Sequence, residues 1–228
     1  MVNNCHSLTF FFEQISLNEL DISSNPDIKE IKFSLQNRLP NLKVLKLANC
    51  GLIDFPFCFM ELTNLRHLDI SKNSIVSIDR DIVHPQLEEL ELSRNQLKSF
   101  PEKSCRFEAA SLLNLYLSSN KLETVRAELM LVPKLQVLTV SNNKLQRIDF
   151  VLRFSRNLKE FQASTNLISS IPPDISSMNL QHLDLSYNDI EKIPDSFSKM
   201  HSLKSLYLVG NIFQQIPPQI EPLKVRIE

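Results

Sequence analysis

Two triplets, His67-Asp69-Ser71 and His182-Asp184-Ser186, bring together the three residue types of nucleophilic hydrolysis at alternate positions. A serine nucleophile needs a histidine within hydrogen-bond reach, a carboxylate to orient that histidine, and oxyanion donors in a pocket closed to water. Alternate side chains on an extended strand stand about 6.5–7 Å apart on one face. That is too far for direct proton transfer, and an open sheet offers no pocket. No enzyme activity is expected. Other reactive groups are scattered. The histidines at 6, 67, 84, 182 and 201 and the cysteines at 5, 50, 58 and 105 make no metal-ligand spacing. With only Gly51 and Gly210, no glycine-rich phosphate loop can form. No metal or cofactor is expected.

Both triplets sit inside a larger regularity. The pattern L-x-x-L-x-L-x-x-N-x-L occurs nine times, starting at Leu17, Leu42, Leu65, Leu87, Leu112, Leu135, Leu158, Leu180 and Leu203. A near-constant period means a solenoid whose coils bury their apolar edges against one another. In the copy Leu87 to Leu97, polar and apolar residues alternate from Glu89 to Ser93, which predicts a short half-buried strand. Leu90 and Leu92 then point inward, and Glu89, Glu91 and Ser93 outward. One strand per coil must give a parallel sheet, and nine strands at about 4.8 Å span roughly 40 Å. Few residues remain for the outer side, where short 3₁₀ turns or extended segments are expected.

A column of Asn25, Cys50, Asn73, Asn95, Asn120, Asn143, Asn166, Asn188 and Asn211 follows the strands. Where a coil turns inward it strands backbone N–H and C=O groups, and an amide can satisfy both kinds. Cys50 breaks the column. Farther on, Phe55-Pro56, Phe100-Pro101, Ile171-Pro172, Ile193-Pro194 and Ile216-Pro217 pair an apolar plug with a proline that has no N–H to leave unpaired. Two longer copies, over 25–40 and 101–111, place their extra residues on the outer or edge side.

From Leu17 to Ile220 these residues resemble the leucine-rich repeat family. The resemblance implies an α/β fold: a curved, right-handed solenoid with a parallel concave sheet of nine to ten short strands and a convex side of 3₁₀ and extended segments. The apolar-proline outer pattern is most similar to intracellular signalling scaffolds, which implies a protein partner on the concave face, such as a small GTPase or phosphatase. Departures stand at Cys50, at Phe161 and Ala163 where leucine is usual, at Ile78-Asp79, Val125-Arg126 and Ile148-Asp149, which lack the proline, and in the first copy, where Pro26-Asp27 sets Ile28 one residue out of step.

The length and unbroken period predict one domain over 1–228, with irregular end segments at 1–16 and 217–228. With 25 basic and 26 acidic residues, no global field favours nucleic acid or an anionic membrane. No apolar run is long enough to span a bilayer. Leu8 to Phe12 lacks the basic flank and cleavage site of a signal peptide. The resemblance implies clustered cysteines at both ends for extracellular members; here neither end has such a cluster, so free thiols and a cytoplasmic protein are expected, and a monomer is expected besides.

The outward strand positions define the candidate partner-binding face. Asp69, Lys72, Glu89, Glu91 and Arg94 fall in its charged first half. Tyr116, Thr139, Gln162, His182, Asp184, Tyr187 and Tyr207 fall in its aromatic second half, which holds all three tyrosines. Tyrosine favours interface anchors, being large, rigid and amphipathic. The expected function is a non-enzymatic protein-interaction scaffold. The alternatives are the recognition arm of a larger leucine-rich repeat kinase, GTPase or phosphatase, a secreted effector or receptor fragment, and a scaffold that dimerises through its edge.

Overall fold

The computed structural model describes residues 16–29, 39–102, 105–154, 157–214, 218–220 and 226–227. Cys5, His6, residues 1–15 of the irregular start expected over 1–16, residues 30–38 of the long copy over 25–40, and Ile216-Pro217 lie outside them. Each copy of the repeat puts its alternating segment into a strand of three residues: Glu19–Asp21, Val44–Lys46, His67–Asp69, Glu89–Glu91, Asn114–Tyr116, Val137–Thr139, Glu160–Gln162, His182–Asp184 and Ser205–Tyr207. They pair in chain order, all parallel, and a tenth strand, Arg226–Ile227, joins from the segment expected to be an irregular end. The register never slips. Leu68 stands opposite Leu45 and Leu90, and Leu138 opposite Leu115 and Phe161. A one-residue shift would turn every leucine out to solvent, so burial fixes the register.

Pairing continues past each strand. The N–H of Arg94 donates to Ser118 O, and that of Tyr187 to Val209 O, at 2.8 and 2.7 Å. To make this bond and then turn inward, the backbone adopts the left-handed region at one strand-exit position per coil, with Lys29 and Gly51 left-handed as well in the first two. Ser24, Asn49, Lys72, Arg94, Ser119, Asn142, Thr165 and Tyr187 have φ between 53° and 62°, and Gly210 has 72°. A side chain in that region costs about 1–2 kcal/mol per residue, so the coil accepts this strain eight times to keep its ladder.

The asparagine column offsets that cost. Asn166 is 7% exposed, and its Nδ2 donates to Val140 O, Ala163 O and Ser164 O at 3.0, 3.1 and 3.2 Å. Its Oδ1 accepts the N–H of Leu145 in the preceding coil at 3.0 Å. Asn73, Asn95, Asn120, Asn143, Asn188 and Asn211 repeat the bridge to the preceding coil. Cys50 keeps half of it: its Sγ–H donates to Ile22 O at 3.2 Å, but it has no amide oxygen to return. At this seam the neighbouring backbone closes in. A Cβ on Gly51, at φ 69°, would lie 2.4 Å from Pro26 O.

Apolar plugs close the outer side. The 3₁₀ turns Phe57–Glu61, Ala127–Leu129, Asp149–Phe154, Pro173–Ser177 and Asp195–Lys199 bury Phe59, Ala127, Val151 and Phe154, Ile175, and Phe197. Pro56, Pro172 and Pro194 precede three of these turns, where a missing N–H costs nothing. Phe161 and Ala163 exchange volume within one coil, and the Phe161 ring meets Phe150 edge-on at 6.3 Å. The long copy at 101–111 is more than a surface bulge. Its strand Phe107–Glu108 lies between Ile82–Val83 and Met130–Leu131 in a second parallel sheet, and Phe107 is buried against Phe100 at 5.1 Å.

His84 ends one of these outer strands. It is 2% exposed, its ring stacks on Phe59 at 6.0 Å, and its Nε2 lies 3.0 Å from Leu62 O. Nδ1 is buried without a partner. Burial pushes the imidazole below its ordinary pKa. The unfolded chain therefore binds a proton first as pH falls, so stability is full above about 6.5 and is lost below it.

Two outcomes test this frame. Asn166→Ala should cost at least about 2 kcal/mol by denaturant titration, because two buried carbonyls and an N–H lose a partner. His84→Leu should flatten the fall in melting temperature between pH 7 and 5. An unchanged slope would remove His84 as its source.

Candidate protein-binding face

The alternation that buries the leucines turns the residue on either side of each buried leucine onto the concave face. Register then lines these residues up across coils in two rows. One row runs Asp21, Lys46, Asp69, Glu91, Tyr116, Thr139, Gln162, Asp184, Tyr207. The other runs Glu19, Val44, His67, Glu89, Asn114, Val137, Glu160, His182, Ser205. Of the twelve expected contact residues, nine lie in these rows. Lys72, Arg94 and Tyr187 instead occupy the left-handed turn, with φ of 55°, 59° and 53°, which sets them on the lip where the strands exit.

The structure corrects several single residues. Thr139 is only 7% exposed, because its hydroxyl takes a 3.0 Å hydrogen bond from Ser118 Oγ, so it offers a partner little surface. Asp69, Glu91 and Asp184 also have structural work. Their carboxylates accept the N–H of Ser71, Ser93 and Ser186 at 2.9, 2.7 and 3.0 Å, as Asp21 does for Ser23 at 3.0 Å. They satisfy the donor just before the left-handed turn. The signal was present as a recurring acid-x-Ser, legible only once the strand end is known.

Neither hydrolytic triplet assembles. Asp184 Oδ1 meets Ser186 Oγ directly at 2.5 Å, while His182 Nδ1 faces Ser205 Oγ of the next strand at 2.7 Å. His67 Nδ1 lies 3.9 Å from Glu89 Oε2. In both coils the imidazole turns across the sheet instead of along its strand.

Acid gathers at the centre of the floor. Asn114 Nδ2 donates to Glu89 at 3.2 Å, and Gln162 Nε2 to Glu160 at 2.5 Å. Burial raises the Glu91 carboxyl above its ordinary pKa; the Ser93 hydrogen bonds oppose this, and the nearby charges of Asp69 and Glu89 add to it. Burial also raises the Tyr116 phenol, helped by Glu89, Glu91 and Glu160. Lys46 is held by Glu19 at 2.7 Å. At the other end the surface is apolar: Leu167, Tyr187, Val209 and Ile212 are exposed. Tyr187 lies over Gly210, where a Cβ would come within 2.5 Å of its ring.

The free cysteines Cys50, Cys58 and Cys105 sit away from this face, and burial lifts the Cys58 thiol to about 11. Among the described residues no group of histidine, cysteine and carboxylate could hold a metal ion, and no helix is long and apolar enough to cross a membrane.

Comparison with known proteins bears on this geometry. The family model described as leucine rich repeat matches residues 15–75, 52–97, 63–109 and 156–213. Transforming growth factor beta activator LRRC33 of Danio rerio is 31% identical over 109 residues, covering 48% of this chain and 16% of that protein. Probable serine/threonine-protein kinase pats1 of Dictyostelium discoideum is 30% identical over 188 residues, covering 76% of this chain and 6% of that protein. The chain thus spans under a fifth of either relative. A crystal structure of a TLR13–ssRNA13 complex superposes with a TM-score of 0.78 at 25% identity, covering 93% of this chain and 32% of that one.

The seat of Tyr187 can be checked. Gly210→Ala should cost about 2 kcal/mol, from its positive φ and the displaced ring. Paired with Tyr187→Ala, the two losses should sum to more than the double variant shows. Strict additivity in a double-mutant cycle would disprove the contact.

Proposed function

The chain belongs to the leucine-rich repeat family, and on that premise we propose that it is a non-enzymatic protein-interaction module that holds a partner protein in the concave trough. The observation that carries this reading is the fixed register of the exposed rows. It sets Tyr116 and Tyr207 in one row, four strands apart, or roughly 19 Å at ordinary strand spacing. An occupant touching both must be the surface of a folded protein or an extended segment of about six residues. A backbone held in fixed register by its neighbours loses little conformational entropy on binding, which favours affinity.

RNA, which the TLR13–ssRNA13 complex contains, suits this floor poorly. Its phosphates would meet carboxylates where nucleic-acid sites carry lysine and arginine. The small shares of the relatives covered support a second reading, in which these coils are the recognition segment of a longer signalling protein. An intracellular, scaffold-type setting belongs to the proposal too, on the free thiols of Cys50, Cys58 and Cys105, and so does a monomeric state. The relatives do not single out a small GTPase or a phosphatase as partner.

The test is quantitative capture of partners by the wild-type chain and by Tyr116→Ala/Tyr207→Ala. A partner of the trough should lose at least about tenfold in affinity, as for two interface anchors. Binding unchanged in the double variant but lost on altering the outer face would place the interface elsewhere.

A further inference from the structure

The near-neutral total of the sequence hides a separation of charge. On the nine strands from Glu19 to Tyr207, the two floor rows hold seven carboxylates and one cation, Lys46. Setting those eight residues aside from the 25 basic and 26 acidic leaves 24 basic and 19 acidic in the rest of the sequence. The formal charge of −1 is thus an acidic floor set against a basic remainder. A concave surface of one sign focuses its field toward an oppositely charged partner.

The floor's acid is compensated only weakly from within. Among the described residues its ion pairs are Lys46 with Glu19 and, when the imidazole is protonated, His67 with Glu89. The donors to Glu91, Glu89 and Glu160 are neutral: the Ser93 N–H and the amides of Asn114 and Gln162. Neutral donors orient carboxylates but leave their charge in place. Register sets Asp69, Glu91 and Tyr116 side by side, with Glu89 in the adjoining row and Glu160 two strands beyond Asn114. An aromatic ring with Glu91 beside it in the row, Glu89 diagonal to it, and Glu160 two strands farther on matches a guanidinium or ammonium group: the ring face attracts the cation, and the carboxylates accept its hydrogen bonds. Phosphate or a nucleic acid would be repelled by the same arrangement.

We propose that the partner delivers a cationic segment, an extended stretch of its chain whose lysine or arginine side chains lie on Tyr116 between Glu89, Glu91 and Glu160. This rests on the reading of the trough as the protein-binding face, and it specifies the partner's chemistry there. The lip cations Lys72 and Arg94 stand off the floor in the exit turn, so the segment runs along the rows, across the strands, with its positive charges facing the floor.

The probes are fluorescein-labelled octalysine and octaglutamate, titrated by anisotropy at low and physiological salt. The proteins are the wild type, a floor variant E89Q/E91Q/E160Q, and an outer variant E123Q/E128Q/E191Q of equal charge change. Glutamine keeps an acceptor oxygen for Ser93 and Asn114, so the floor variant should fold, as circular dichroism would report. Octalysine should bind the wild type, weaken with salt, and lose roughly tenfold or more in the floor variant but under about twofold in the outer one. Octaglutamate should not bind. Equal losses in both variants, or no octalysine binding, would overturn the proposal. If the natural partner is captured undiminished by the floor variant yet lost with Tyr116→Ala/Tyr207→Ala, the trough stands as the interface and the cationic segment does not.

Discussion

The hydrogen bonds of the buried asparagine column are the constraint on which the solenoid rests. A coil that leaves its strand and turns inward must bury backbone groups that no sheet partner reaches. One amide per coil answers for carbonyls of its own turn, for a carbonyl of the preceding turn, and for an N–H of that turn as well. Each coil with an asparagine is thereby tied to its neighbour at one fixed height, which reinforces the register that burial of the leucines sets. Cys50 shows how much the ladder tolerates. A thiol supplies the donor but not the acceptor, and it sits where the Pro26 carbonyl closes on Gly51.

The same geometry explains the cost the chain accepts at the strand exit. At the strand exits eight side-chain-bearing residues hold a left-handed conformation that isolated chains avoid, and Lys29 holds it farther round the first coil. The strain is spread one residue per coil and is offset by the ladder bond each residue makes to the next coil. It also has a use. Residues in that turn point away from the sheet at the lip, so Lys72, Arg94 and Tyr187 flank the floor instead of belonging to it. Gly210 is the exception that permits Tyr187 to lie flat.

On the floor, the carboxylates that cap the strand ends also line the trough. Asp69, Glu91 and Asp184 cap strand ends through one carboxylate oxygen, yet they also give the trough its sign. A residue that must accept an N–H can be Asp, Glu or a neutral amide without harm to the coil. Thr139 gives the opposite lesson, since its outward position was spent on a hydroxyl pair with Ser118.

The period, the alternation and the asparagine spacing were enough to give the coil count, the parallel sheet, the buried leucines and the 3₁₀ outer side, because each is dictated locally and repeated until chance is excluded. They also placed nine of the twelve contact candidates in the floor rows. Other features were decided between coils. Period alone could not show that Phe107 would thread a second sheet, that His84 would be sealed behind Phe59, or that His182 would turn to Ser205 and away from its own triplet. Nor could it show that a neutral composition would fold into an acidic floor. Side-chain direction across a sheet depends on which residues register brings opposite one another, and that is a property of neighbouring coils, which no single copy of the repeat contains.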